Sequence, residues 1–338
     1  MKVVVTGGAG FVGANLASRM IERKHKVVVY DNLFRPGVEH NIDWLKQKWG
    51  DRFTFVKESV CDARKIEAAC KDADAIFHTA GQTAVTTSVT NPRQDFEINA
   101  LGTFNVLEAA RKAETMPVVI FTSTNKVYGD LGDVEIMEKE RRYEFKTLRN
   151  GVPSERPIEP HTPYGCSKGA ADSYCLDYNR IYGLRTVVFR MSCIYGTRQF
   201  GCVDQGWVAH FVNSYILNSP LTIFGDGKQI RDVLYIDDLV NAFIKATENI
   251  KKTAGQAYAI GGGAKNAMSL LELVQYVEER GGKPFGLDYG EWRPSDQKVY
   301  YSDVSKAKRD FGWEPKVSPK NGVNLLYSWV EENRNLFE

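Results

Sequence analysis

Tyr164 and Lys168 stand four residues apart in Pro163-Tyr-Gly-Cys-Ser-Lys168. On a helix that spacing puts both side chains on one face. A free phenol titrates at about 10; a neighbouring ammonium, together with the positive charge of a bound cofactor ring, is expected to favour its phenolate and lower the tyrosine's pKa. A phenolate near neutral pH can take the proton of an alcohol. Thr124, just past an expected strand over 118–122, is placed to share the same substrate oxygen. Its neighbour Ser123 would either face a cofactor or tie down the strand end.

The second chemical signal is Thr6-Gly-Gly-Ala-Gly-Phe-Val-Gly13. Gly7, Gly10 and Gly13 follow an apolar strand and open a helix with Phe11 and Val12. Gly8, Gly10 and Gly13 also satisfy G-x-G-x-x-G. Such glycines allow a tight turn and let a pyrophosphate approach the backbone, facing the positive end of the helix. Asp31, with Asn32 after it, ends the second strand. A carboxylate there accepts from a ribose 2′-OH and repels a 2′-phosphate, which favours NAD over NADP even with Arg35 nearby. An alcohol base beside a nicotinamide is a redox site for carbinols.

The elements that must position these groups are legible as alternating runs. Strands are expected at Lys2–Thr6, Lys26–Tyr30, 53–57, Ala75–His78 and 118–122, with helices between them such as 11–23 and 96–113. This rhythm predicts an α/β fold, a Rossmann-type doubly wound parallel sheet. The charged, then Pro- and Gly-rich, stretch Leu131–His161 reads as a solvated loop or small lid. A helix over 164–182 and a strand over 185–190 follow. Beyond Tyr195 come shorter mixed elements. Residues 1–190 are therefore expected to bind NAD, and 191–338 to form a smaller mixed α/β unit that holds substrate, with room for the chain to cross back to the sheet.

Bulk properties narrow the class. The 338 residues carry 44 basic and 42 acidic side chains, a net charge of +2, so no nucleic-acid-binding face is implied. No apolar run approaches the roughly 20 residues that cross a bilayer, and the N-terminus enters a strand directly, so a cytoplasmic protein without a membrane partner is expected. The six cysteines contain no C-x-x-C pair and read as free thiols; no metal site is expected.

Essentially the whole chain resembles the extended short-chain dehydrogenase/reductase family. The resemblance rests on the glycine loop, Val127-Tyr-Gly129, Pro163-Tyr-Gly165, the Tyr164–Lys168 pair and Gly225-Asp-Gly-Lys-Gln-Ile-Arg-Asp232. It implies tightly held NAD, a nucleotide-diphospho-sugar substrate, and a homodimer or homotetramer. It adds Val60, Ala80, Gly81, Gln82, Asn99 and Ser123 to the cofactor side; Val60 is the least regular, since Ser59 stands where many relatives carry an acid. Thr87, Ser88, Gln82, Asn125, Arg198 and Gln199 become sugar contacts, and Met191 and Ser192 wall the nicotinamide pocket. Arg231 and Arg293, whose guanidinium forks suit phosphate oxygens, would clamp the diphosphate, and Arg293-Pro-Ser-Asp296 would be the phosphate and ribose turn, with Asp296 on the ribose.

Narrower runs (residues 81–88, 123–130, 163–172, 195–200 and 204–207) resemble the family members that epimerise a CDP-sugar at C2. There a hydride leaves to NAD, a 2-keto sugar turns, and the hydride returns to the other face. Dehydratases of the family place Asp-Glu directly after the position of Thr124; here Asn125 and Lys126 stand instead, which argues against elimination. The same roles suit a UDP-sugar 4-epimerase. A non-catalytic NAD-binding regulator would keep the fold without the Tyr–Lys pair.

Overall fold

The computed structural model describes residues 1–293 and 296–337. Five parallel strands come from the first part of the chain: β1 (Lys2–Thr6), β2 (Lys26–Tyr30), β3 (Phe53–Val56), β4 (Ala75–His78) and β5 (Val118–Thr124). Two more, Thr186–Met191 and Gln256–Ile260, complete a seven-stranded sheet in the order β3-β2-β1-β4-β5 followed by these two. Val3, Val4 and Val5 are all fully buried, as befits strands covered by helices on both faces.

Register aligns the carboxyl ends. Thr6 lies opposite Tyr30 and His78, Thr124 opposite Met191, and Met191 opposite Ile260. Strand order reverses between β1 and β4, and loops leaving a sheet in opposite directions open a crevice there. The glycine loop lies at that crevice. Gly7 has φ +66°, and a Cβ on Gly13 would sit 2.2 Å from the Gly7 carbonyl oxygen. Helix α1 (Phe11–Glu22) can therefore begin hard against the loop only with hydrogen at that position.

The Tyr164 helix spans Thr162–Tyr182, with Pro163 in its first turn and Gly183 left-handed at its end. One buried ion pair fixes it to the sheet. The Nε and Nη2 of Arg190 donate to the two oxygens of Asp172, each at 2.9 Å, and Ser123 Oγ donates to the same carboxylate at 2.7 Å. Arg190 Nη1 also donates to the Ser154 carbonyl at 2.6 Å. Helix, β5, the next strand and the 131–161 segment thus meet at one carboxylate.

That segment is not a solvated lid. Its hairpin, Ile136–Glu138 against Tyr143–Phe145, buries Tyr143 and Phe145 with Leu131, Val152, Tyr300 and Tyr301. The expected 96–113 helix is also broken: Pro92–Phe96 runs into a π-helical turn, Glu97–Leu101, before the α-helix Gly102–Lys112. In the later chain, Ile230–Tyr235 pairs with Cys193–Tyr195, Ala267–Ser269 and Val299–Tyr300, and Leu221–Phe224 pairs with Leu287–Gly290. Among the described residues no helix is long and apolar enough to cross a membrane.

Breaking a buried ion pair from one side strands the other charge, which costs about 3–5 kcal/mol. Asp172→Ala is expected to lose stability of that order in urea unfolding, more than any exposed carboxylate in the chain.

Candidate active site

A cavity of about 1000 Å³ runs along the carboxyl ends of the strands, from Asp31 past Tyr164 to Arg231 and Arg293. Every residue expected at the site borders it except Ser88 and Asn99.

At one end Asp31 accepts from the amides of Ala9 at 3.1 Å and Leu33 at 2.8 Å. Burial raises its pKa while those two bonds work against the shift. Asn41, which sequence reasoning missed, donates to the Ala9 carbonyl at 3.0 Å and backs the glycine loop. Gly10, the N-cap of α1, offers no side-chain cap, so the first-turn amides keep their donors for another partner. A Cβ on Gly7 would come within 2.6 Å of the Ala80 amide nitrogen, so the loops after β1 and β4 touch backbone to backbone. A carboxylate, a glycine cradle and, beyond them, an ammonium suit a dinucleotide with two riboses.

Tyr164 and Lys168 are 8% and 4% exposed. The Lys168 ammonium lies 4.2 Å from the centroid of the Phe121 ring, a cation–π contact, and beside Gly81. The Thr124 hydroxyl beside the Tyr164 phenol favours its ionised form. Burial nevertheless pushes Tyr164 up to about 12, and pushes Lys168 down to about 8. Desolvation of the phenol, with the Asp95 charge nearby, dominates its shift, so the ammonium by itself does not lower the phenol's pKa. Bringing the phenol into working range takes a further positive charge beside it, which a nicotinamide ring carries.

Several expected contacts prove to be struts. Ser88 is fully buried, donates to the Val85 carbonyl at 2.7 Å and accepts from the Tyr164 amide at 3.2 Å, so it sets the start of the Tyr164 helix rather than touching sugar. Asn99 lies behind the wall. Its Oδ1 accepts from the Gln82 amide at 2.9 Å, and its Nδ2 donates to the Gln82 carbonyl and to Asp95, each at 3.0 Å. Ser167, one residue before Lys168, donates to Asp95 as well. Asn99 thus shapes the Gly81-Gln82 loop instead of meeting cofactor. Ser123 gives its hydroxyl to Asp172 and borders the cavity. Ser192 donates to the Asp232 carbonyl at 3.0 Å.

At the far end, Arg231 Nη2 donates to Asp296 Oδ1 at 2.7 Å, and Lys126 Nζ lies 3.3 Å from the same oxygen. Burial works to raise the Asp296 carboxyl, but Arg231 and Lys126 outweigh it and hold it below its ordinary value. Its Oδ1 serves two cations, and the residue borders the cavity. Pro294 and Ser295 of that turn lie outside the described residues. Asn125 Nδ2 donates to Gln297 at 2.8 Å, and Gln297 to the Gly129 carbonyl at 2.6 Å, which fixes the Asn125 amide at the cavity wall. The Arg198 guanidinium, expected on sugar, packs over Trp44 at 4.7 Å and Trp329 at 5.4 Å. Arg293 lies over Phe224 at 4.2 Å and donates to the Val203 carbonyl at 2.8 Å. Gln199 and Gln82 each bury an Oε1 with no partner among the described residues, and Thr87 and Met191 border the cavity.

An alcohol base in a dinucleotide cleft, with cations at its far end, defines a sugar-nucleotide redox enzyme. The model of the GDP-mannose 4,6-dehydratase family matches residues 4–326. The chain belongs to that family, the nucleotide-sugar epimerases and dehydratases of the extended short-chain dehydrogenases/reductases. It is 43% identical to the CDP-paratose 2-epimerase of Salmonella typhi, over 98% of this chain and 99% of that one. The UDP-glucose 4-epimerase of Thermotoga maritima, solved with UDP-glucose, superposes with a TM-score of 0.85 at 30% identity, covering 99% and 100% of the two chains. The UDP-glucuronic acid 4-epimerase of Bacillus cereus, solved with UDP-glucuronic acid and NAD, gives 0.84 at 28%, covering 98% and 99%.

A buried ammonium whose pKa falls from 10.5 to about 8 costs stability while it is charged in the fold. The cost is full below pH 8 and fades as pH rises toward 10.5. In cofactor-free protein, Lys168→Met is expected to raise the melting temperature at pH 7 while abolishing turnover, with the gain shrinking by pH 10.

Proposed function

We propose that the chain interconverts the C2 epimers CDP-paratose and CDP-tyvelose, with NAD held through each cycle. The specific sugar and base are supported by the 43% identity to the Salmonella typhi enzyme across both full lengths. The observation that carries the reaction type is the pair after Thr124: Asn125 is bound to Gln297 and Lys126 to Asp296. No carboxylate stands there to drive loss of water, so oxidation followed by return is the chemistry left.

The glycine loop and the amides of α1 would hold the pyrophosphate, Asp31 one ribose and Lys168 the other. NAD, when bound, supplies the place where the carbinol hydride rests and from which it returns, so no external reductant is consumed. Tyr164 takes the proton of the C2 hydroxyl and gives it back. Thr124, beside that phenol, holds the same oxygen in line. Arg231 and Arg293 grip the diphosphate and let the sugar turn between the two hydride transfers. On this reading residues 1–190 hold the cofactor and most of 191–338 the substrate.

The oligomer is a homodimer, or a tetramer built from it. Phe96, Leu101 and Phe104 from one helical stretch lie exposed near Tyr174, Ile181 and Tyr182 of the Tyr164 helix, and Phe104 touches Tyr174 at 5.8 Å between ring centroids. An exposed apolar patch across two helices is the usual mark of a self-association face. Phe104→Glu is expected to shift sedimentation equilibrium toward monomer; an unchanged mass would remove these helices from the interface.

A second reading, a UDP-sugar 4-epimerase, is supported by the likeness to the Thermotoga maritima enzyme. Proton NMR separates the two: CDP-tyvelose should give CDP-paratose, while conversion of UDP-glucose to UDP-galactose without it would move the assignment to C4. Tyr164→Phe should cut turnover by about 10²–10⁴-fold and leave NAD bound.

A further inference from the structure

We propose that Lys126 selects the carbon that reacts, by holding the glycosyl-phosphate oxygens of the substrate next to Thr124. The inference rests on the C2 reading above. It begins from the covalent structure of a nucleoside diphosphate sugar. C2 is the direct neighbour of the anomeric carbon, which bears the phosphate, whereas C4 lies across the ring. One Tyr–Thr pair can serve either carbon, but C2 chemistry brings the phosphate close to that pair. A C2 enzyme therefore needs a cation between the proton-handling hydroxyls and the guanidinium clamp.

Lys126 occupies that position. Its backbone amide donates to Thr124 Oγ1 at 3.2 Å, which fastens the residue to the hydroxyl beside the Tyr164 phenol. Its ammonium borders the cavity and lies 3.3 Å from Asp296 Oδ1. Arg231 Nη2 donates to that same oxygen at 2.7 Å. One carboxylate thus joins the ammonium to the clamp and sets its reach. Two cations around one carboxylate leave a net positive charge facing the cavity, while Arg293 at its wall lies 3.9 Å from Asp204. Such a cluster suits an anionic ligand. Burial, with Arg231 nearby, lowers the Lys126 pKa, and the Asp296 carboxylate opposes that shift.

The contact is tested by nucleotide binding, independently of the reaction. Isothermal titration compares CDP with CMP on wild type, Lys126→Met and the near-isosteric Lys126→Gln, or UDP with UMP if the site prefers uracil. Loss of a charge-assisted bond to the terminal phosphate should cut the diphosphate-over-monophosphate preference about tenfold or more in both neutral variants, with NAD binding intact. Lys126→Arg should restore most of it. An unchanged preference would overturn the proposal and leave Lys126 a structural partner of Asp296. Turnover then addresses the carbon: C2 epimerisation should fall in the neutral variants and partly return in Lys126→Arg. Should the wild type instead act at C4, the C2 reading falls and takes the selecting role with it, while a tenfold loss of preference would still assign the phosphate contact to Lys126.

Discussion

Asp172 must answer three elements at once, and the geometry of the reactive groups follows from how it does so. Its carboxylate takes both arms of the Arg190 fork and the Ser123 hydroxyl. Ser123 precedes Thr124 on β5, and Asp172 lies two turns along the helix from Tyr164. Thr124 and Tyr164 therefore sit on two elements whose separation is set from below by a buried charge pair. Such pairs contribute little net stability, because desolvation offsets most of the attraction, but they tolerate few alternative arrangements. Here that intolerance serves alignment. Ser88 and Asn99 do the same work from the other side, one at the amide of Tyr164 and one on the Gly81-Gln82 loop.

The electrostatics of the Tyr164–Lys168 pair run against charge separation. A phenol held up at about 12 keeps its proton at neutral pH. It becomes a competent base only when positive charge arrives next to it. Proton transfer is thereby tied to cofactor charge, and the site is quiet toward stray hydroxyl compounds when that charge is missing. The ammonium, pulled down to about 8, is charged at neutral pH but close to the edge of being so.

What could be read from the sequence was local. The glycine spacing, Asp31, and Tyr164 with Lys168 are short-range patterns, and the structure brings all of them to one cavity. Strands β1, β2 and β4 begin and end where the apolar runs do. Long-range commitments were not legible. Asn125 meets Gln297, and Ser123 meets Asp172, across stretches of chain that no periodicity connects. Arg198 looked like a sugar ligand by type, yet two indoles distant in sequence claim its guanidinium. The burial of the Tyr164 phenol was not legible either, since spacing reports a neighbour's charge but not how much water has been removed. The π-turn at Glu97–Leu101 escaped because one extra residue per turn leaves the helical period nearly intact.

The seventh strand, Gln256–Ile260, bears on how the molecule comes off the ribosome. It caps the edge of Thr186–Met191, a strand whose first four residues are fully buried in the finished fold. A nascent chain that has emerged only as far as Met191 holds the glycine loop and both proton-handling residues but leaves that edge bare, a ready template for pairing with another chain. Some 65 further residues must follow before the edge is closed, several seconds of synthesis at typical elongation rates. Molecular chaperones that shield unpaired strands have their clearest opportunity in that interval.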